Sequence, residues 1–243
     1  GRARFGGIQF GITGSVGKTG SKDMLRHALS QFGSCHASQR SFNNHIGVPI
    51  SLASLPQNTE FAVQEMGMNA AGEIAELTKL TRPQIALITR IADSHSAFFA
   101  STADIAAAKA EIFQAIEGLS IAIINRDDAF YKTLHTAAIA AGAKQVISFG
   151  HHPEATYRLV STTDHDAGMT IKAFFAGTDY VFELRMYGRH LAENAMGVLA
   201  CVAAAGLPVD KAAAALVDCQ PPSGRGQRYS GIYNNCNISI IDD

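Results

Sequence analysis

The chain has 243 residues, with 20 Lys and Arg against 21 Asp and Glu, a formal net charge of −1. That length can bury a sizeable core in one large domain or two small ones, and near-neutral charge gives no support for a nucleic-acid surface. The longest apolar run, Met196 to Leu207, contains two glycines and is too short to span a bilayer. The four cysteines (Cys35, Cys201, Cys219, Cys236) show no C-x-x-C spacing, so neither a zinc site nor a disulfide framework is indicated. A reducing, cytoplasmic setting fits this usage, and no signal-peptide pattern opens the sequence. The first residue is Gly1 and the last four are "IIDD", directly after a strand-like run; a piece of a longer protein is expected.

In chain order, apolar and β-branched runs recur: "IQFGIT" (8–13), "FAVQEM" (61–66), "IALITRI" (85–91), "SIAIIN" (120–125) and "QVISFG" (145–150). Helical patterns separate them. After the first run, Met24, Leu25, Ala28, Leu29 and Phe32 fall on one helical face, with Gly33 placed to close the helix. Residues 101–118 read as another helix, opened by a capping-box-like pair, Ser101 and Asp104. Strands alternating with helices predict an α/β fold: a mostly parallel sheet with helices on both faces.

"GHHPEATY" (150–157) reads as a polar loop, in which His151 and His152 fit solvated side chains better than metal ligands. From 157 to 187 the pattern changes. Three strand-like runs, separated by "DHDAG" and "AGTD", predict a small antiparallel meander flanking the main sheet. "HLAENAMGVLACVAAAG" (190–206) then reads as a buried helix and "VDKAAAALVDC" (209–219) as another.

The junction between the first strand and first helix carries the chemistry. Gly14, Gly17, Lys18 and Thr19 have the layout of a phosphate loop. Glycines let backbone N–H groups converge on phosphate oxygens. The lysine reaches terminal phosphates, and the threonine hydroxyl can ligate Mg²⁺. The helix N-terminus adds its positive dipole end. The general pattern G-x-x-x-x-G-K-[ST] wants glycine where Ile12 stands.

Four further positions stand out. Glu65 ends a strand, where a parallel sheet presents its binding edge, and can ligate the same Mg²⁺ as Thr19 or be an ordinary strand-end acid. His95 follows another strand and is either a ligand or a structural histidine. Lys109, in "IAAAKAEIF", reads on pattern alone as a solvated helix lysine. Asn194 lies near the start of an apolar helix, where an amide reads an adenine edge or caps backbone.

"GITGSVGKTGSKDML", "SFNNHIGVPISL", "VQEMGMNAAGEI", "SHSAFFASTADIAAAKAEIF", "INRDD", "RHLAENAM", "PPSGRGQR" and "IIDD" follow one another as in the Mur ligases, which the chain resembles over nearly its whole length. Within that family, "NNHIGVP" and "EMGMN" resemble the branch that joins D-alanyl-D-alanine to UDP-N-acetylmuramoyl-tripeptide; the departure at Ile12 is shared by the wider superfamily. The resemblance implies an ATP-dependent amide ligase of peptidoglycan synthesis, cytoplasmic and monomeric. It has three domains, of which residues 1–243 are the central, ATP-binding one. It implies that Thr13, Gly14, Ser15, Val16, Gly17, Lys18 and Thr19 hold ATP, with Asn43 and Asn44 supporting the phosphate and substrate region. His190 and Asn194 fall on the adenine side, Arg225 is directed at phosphate, and Asp243 lies near the ribose. Thr19 and Glu65 would hold one Mg²⁺ and His95 a second, and Lys109 matches a lysine that becomes a carbamate. Many relatives carry asparagine where Arg90 stands and a His-Pro pair in place of Ala70-Ala71. Other ligases of the superfamily, of the folylpolyglutamate or cyanophycin type, and a non-catalytic nucleotide-binding module are the competing readings.

Overall fold

The computed structural model describes residues 4–39, 42–93, 99–114, 121–220, 227–233 and 236–242. In chain order the elements are β1 (Ile8–Thr13), α1 (Lys18–Leu29), β2 (Cys35–Ala37), α2 (Gly47–Ala53), β3 (Phe61–Glu65), α3 (Glu73–Thr81), β4 (Ile85–Ile88), α4 (Thr102–Ala110), β5 (Ile121–Asn125), α5 (Tyr131–Ala140), β6 (Gln145–Gly150), β7 (Tyr157–His165), β8 (Gly168–Phe175), β9 (Thr178–Leu184), α6 (Arg189–Ala204), α7 (Val209–Ala215), β10 (Gln227–Tyr233) and β11 (Cys236–Asp242). Short 3₁₀ turns follow α4 and α7.

Nine strands form one sheet in the order β2-β3-β1-β4-β5-β6-β7-β8-β9. Strands β2 to β6 are parallel neighbours, and β7-β8-β9 are antiparallel. The expected meander is therefore present, but it continues the main sheet instead of flanking it. Phe149 and Gly150 pair in parallel with Tyr157 and Arg158, which joins the two parts. β10 and β11 form a separate antiparallel pair.

The parallel strands are buried on both faces, as β-α-β crossovers require. Phe10, Ile12, Val63, Leu87, Ile123 and Phe149 pack on one side with α1, α6 and α7. Ala86, Ile88, Ala122 and Ile124 pack on the other with α2 to α5. Period-2 alternation within a continuously apolar strand thus feeds two cores. Helix α6 lies closely on the sheet at Gly197, where a Cβ would come within 3.2 Å of Phe149 and 3.3 Å of Leu87.

Two expectations shift. Helix α1 buries Met24, Leu25, Ala28 and Leu29 as its pattern requires, but ends at Leu29. Gly33 does not close it. A side chain at Gly33 would overlap the Glu60 carboxylate, which accepts a bond from Ser34 N at 2.8 Å. The helix read over 101–118 keeps its Ser101 cap, whose Oγ accepts from Asp104 N at 3.2 Å, but its α-helical part stops at Ala110. No described helix is long and apolar enough to cross a membrane.

Candidate nucleotide site

The sheet order places β1 between β3 and β4, with the chain leaving to opposite sides. That switch point opens a crevice beyond the C-terminal strand ends. Three sequence-selected stretches end there: Thr13 on β1, Glu65 on β3 and the residues after β4.

The loop from Thr13 to Thr19 is held from behind by backbone and hydroxyl bonds. Thr13 Oγ1 donates to the Met66 carbonyl at 2.8 Å. Ser15 N donates to the Arg90 carbonyl at 2.7 Å, and Ser15 Oγ to that of Ala92 at 2.9 Å. Thr89 Oγ1 donates to the Val16 carbonyl at 2.6 Å. Gly14 and Gly17 are required by what surrounds them. A Cβ on Gly14 would overlap Thr89 Oγ1. Gly17 has φ 84°, and a Cβ there would stand 2.7 Å from Asn194 Oδ1. The loop then enters α1 with no side-chain cap on its N-terminus. Lys18 curls back over the turn, its Nζ donating to the carbonyls of Gly14 at 2.7 Å and Ser15 at 3.2 Å.

Across the crevice, Glu65 is 1% exposed and takes a bond at each oxygen. Thr19 Oγ1 donates to Oε2 at 3.0 Å, and Asn43 Nδ2 to Oε1 at 2.7 Å. The Asn43 carbonyl accepts Gly67 N at 2.7 Å. Asn44 supports the next element: its Oδ1 accepts from Ile46 N at 3.1 Å and Gly47 N at 2.9 Å, at the start of α2. Together these groups line a cavity of about 500 Å³ that includes Ser15, Lys18, Thr19, Asn43, Asn44 and Glu65. His45, Asn69 and Glu73 line it as well, though sequence reasoning assigned them nothing. The signal was present in "EMGMNAAGEI": Glu73 Oε2 accepts Asn69 N at 2.8 Å, closing the turn that forms this wall.

A magnesium ion fits this donor set. A hydroxyl and a carboxylate oxygen 3.0 Å apart are hard ligands of the kind Mg²⁺ takes while keeping waters and substrate phosphates for its other positions. Among the described residues no group of three His, Cys, Asp or Glu could hold a metal unaided. The protein thus offers a partial shell, suited to an ion that arrives with a polyphosphate.

Lys109 is not the solvated helix lysine that its pattern predicts. It is 1% exposed, because α4 turns this face into the core beside Ile105, Ala106 and Ala108. Burial, reinforced by the nearby positive charge of Lys18, lowers its pKa from 10.5 to about 7. The other deeply buried lysine, Lys22, is 3.3 Å from Asp23 Oδ1 and 3.0 Å from the Ser38 carbonyl. Among the described residues, no carboxylate forms such a pair with Lys109.

Asn194 lies against Gly17 at the edge of the loop. His190 is exposed in the first turn of α6, folded against Gly188. His95, Arg225 and Asp243 lie outside the described residues.

The description "Mur ligase middle domain" matches residues 12–202. The UDP-N-acetylmuramoyl-tripeptide–D-alanyl-D-alanine ligase of Rickettsia prowazekii is 34% identical over 232 residues, covering 96% of this chain and 51% of the relative. A crystal structure of MurF from Acinetobacter baumannii superposes with a TM-score of 0.90 at 27% identity, over all of this chain and 51% of that one. MurF from Thermotoga maritima, solved in complex with ADP, shares the fold with a TM-score of 0.84 at 22% identity, over 99% of this chain and 54% of its own. The chain spans about half the length of the curated relatives it matches. The order of its strands, its phosphate loop and these likenesses agree: the chain belongs to the Mur ligase family, through the middle domain.

Proposed function

We propose that this site binds ATP and Mg²⁺ for an amide ligase that joins D-alanyl-D-alanine to UDP-N-acetylmuramoyl-tripeptide in peptidoglycan precursor synthesis, acting in the cytoplasm. One observation carries the reading. Lys18, Thr19, Asn43 and Glu65 share a single cavity at the mouth of α1, in a chain 34% identical to a ligase of that name. In this reading residues 1–243 are the central domain, flanked in the full-length protein by a domain for the UDP-sugar peptide and a Rossmann-like domain. Residues 157–187 form its antiparallel subregion.

In the reaction a substrate carboxylate attacks the γ-phosphorus of ATP, giving an acyl phosphate and ADP. The amine of the dipeptide then attacks the acyl carbon, and phosphate leaves. Phosphoryl transfer of this kind needs positioning and charge neutralisation more than covalent help from the protein. The loop N–H groups and the α1 N-terminus receive phosphate oxygens, and Lys18 leaves its carbonyl partners to meet the terminal phosphates. Thr19 and Glu65 would hold a Mg²⁺, which would supply neutralisation of the charge that develops on the phosphates. His95 would contribute to a second ion, Asn43 fixes Glu65, and Asn44 supports the start of α2. Asn194 and His190 are assigned to the adenine side, and Arg225 and Asp243 would serve phosphate and ribose.

Lys109 serves as a carbamate. With its pKa near 7, about half of it is neutral at pH 7, against roughly one in three thousand for an ordinary lysine. The neutral nitrogen attacks the carbon of CO₂, a C–N bond forms, and the proton leaves to water. A cation repelled by Lys18 becomes an anion attracted to it.

Ligation by the full-length protein, followed by product mass and ADP release across a panel of amino components, tests the reading. Incorporation of D-alanyl-D-alanine is expected. Incorporation of glutamate, and never of the dipeptide, would contradict it.

A further inference from the structure

Near its N-terminus α6 carries a buried carboxylate to which the nucleotide reading gives no task. Glu193 is 9% exposed. Its Oε2 accepts from Arg90 Nη1 at 3.2 Å. Its Oε1 lies 3.6 Å from Arg189 Nε and 3.5 Å from His151 Nε2. Arg189 Nε also donates to His151 Nε2 at 2.9 Å. A ring nitrogen whose lone pair accepts that bond cannot also donate to a carboxylate, so His151 joins the cluster through Arg189. Three segments meet on one acid: the chain just after β4, the chain just after β6 and the start of α6.

What these segments hold is the phosphate loop. The carbonyl of Arg90 accepts Ser15 N at 2.7 Å, and its neighbour Thr89 donates to the Val16 carbonyl at 2.6 Å. On the other side, Asn194 follows Glu193 directly and abuts Gly17. The Arg90–Glu193 bond therefore ties the strand end from which the loop hangs to the helix that borders it. With Arg90 gone, the cation left beside Glu193 is Arg189 of its own helix, so the ionic link between α6 and the strand end is lost and the two are free to relax apart.

We infer that Glu193, through Arg90, is a positioning residue for nucleotide binding: it sets the distance between the phosphate loop and Asn194. The inference rests on the reading that this loop takes ATP. Glu193 touches no substrate in this role. Its effect is on affinity, not on the chemical step.

The test uses the full-length enzyme with Glu193→Gln, Arg90→Gln and the double variant. Each single change is expected to raise KM for ATP about fivefold, the scale of one partly buried ionic contact, with kcat nearly unchanged. A purely structural role would lower Tm and leave KM for ATP where it was. The double variant is expected to match the singles, not their product, because both remove one contact. Arg90 is half-exposed, so Arg90→Gln gives a folded variant even where Glu193→Gln does not. Unchanged KM for ATP in Arg90→Gln, or effects that multiply in the double variant, overturns the inference. A wild-type enzyme that does not bind ATP overturns the nucleotide reading itself.

Discussion

Lys109 sits in the core with its pKa lowered from 10.5 to about 7, by burial first and by Lys18 second. In the unfolded chain it returns to its ordinary value. Between about pH 7 and 10.5 the unfolded state therefore binds the extra proton, and stability rises with pH through that window. Below pH 7 both states are protonated and the burial cost is complete. In CO₂-free buffer, denaturant unfolding should show the wild type gaining on Lys109→Met from pH 7 to 9, by at most about 1.4 kcal/mol per pH unit. A difference that does not change with pH would contradict this account. In the full-length enzyme, Lys109→Ala should abolish ligation, with partial rescue by small carboxylates; undiminished turnover would refute the carbamate. Gly17 makes a sharper geometric case. Its φ of 84° and the nearness of Asn194 leave no room for a methyl group. Gly17→Ala should weaken Mg·ATP binding about tenfold or more, read by titration calorimetry, and equal affinity would count against the loop geometry.

At the scale of elements, α6 and β6 carry much of the core. Phe149 is 1% exposed and faces Gly197 across the helix–sheet contact. Phe149→Ala should lower unfolding free energy by about 3–5 kcal/mol in equilibrium denaturation, and a loss below 1 kcal/mol would mean that this contact is not packed as described. The same elements show what could be read beforehand. The five apolar runs became β1, β3, β4, β5 and β6 because continuous burial on both faces leaves an unmistakable apolar signature. The Ser101 cap was legible because its chemistry is local. β2, with three residues, and α2, with seven and a proline inside, were not, since neither is long enough to show a period. Lys109 was misread on pattern because its burial comes from the packing of α4, which no neighbouring residue announces. Glu65 and Thr19 meet at 3.0 Å, since one ends and the other begins an element at the same edge. The Arg90–Glu193 contact spans 103 positions and left no local trace.

Across the whole molecule, one sheet order explains why distant residues converge. β1 lies between β3 and β4, so Thr13, Glu65 and Arg90 reach one rim although the chain visits them far apart. The meander β7-β8-β9 extends that sheet on the side away from β2 and packs with α6 and α7 in the same core. In the proposed reading, a phosphate loop that is already shaped by its backbone bonds loses little entropy when a ligand arrives. The most direct measurement is titration calorimetry of Mg·ATP into the full-length protein, wild type beside Lys18→Ala. The account predicts saturable one-to-one binding that the substitution abolishes. Binding of equal strength in Lys18→Ala would contradict it.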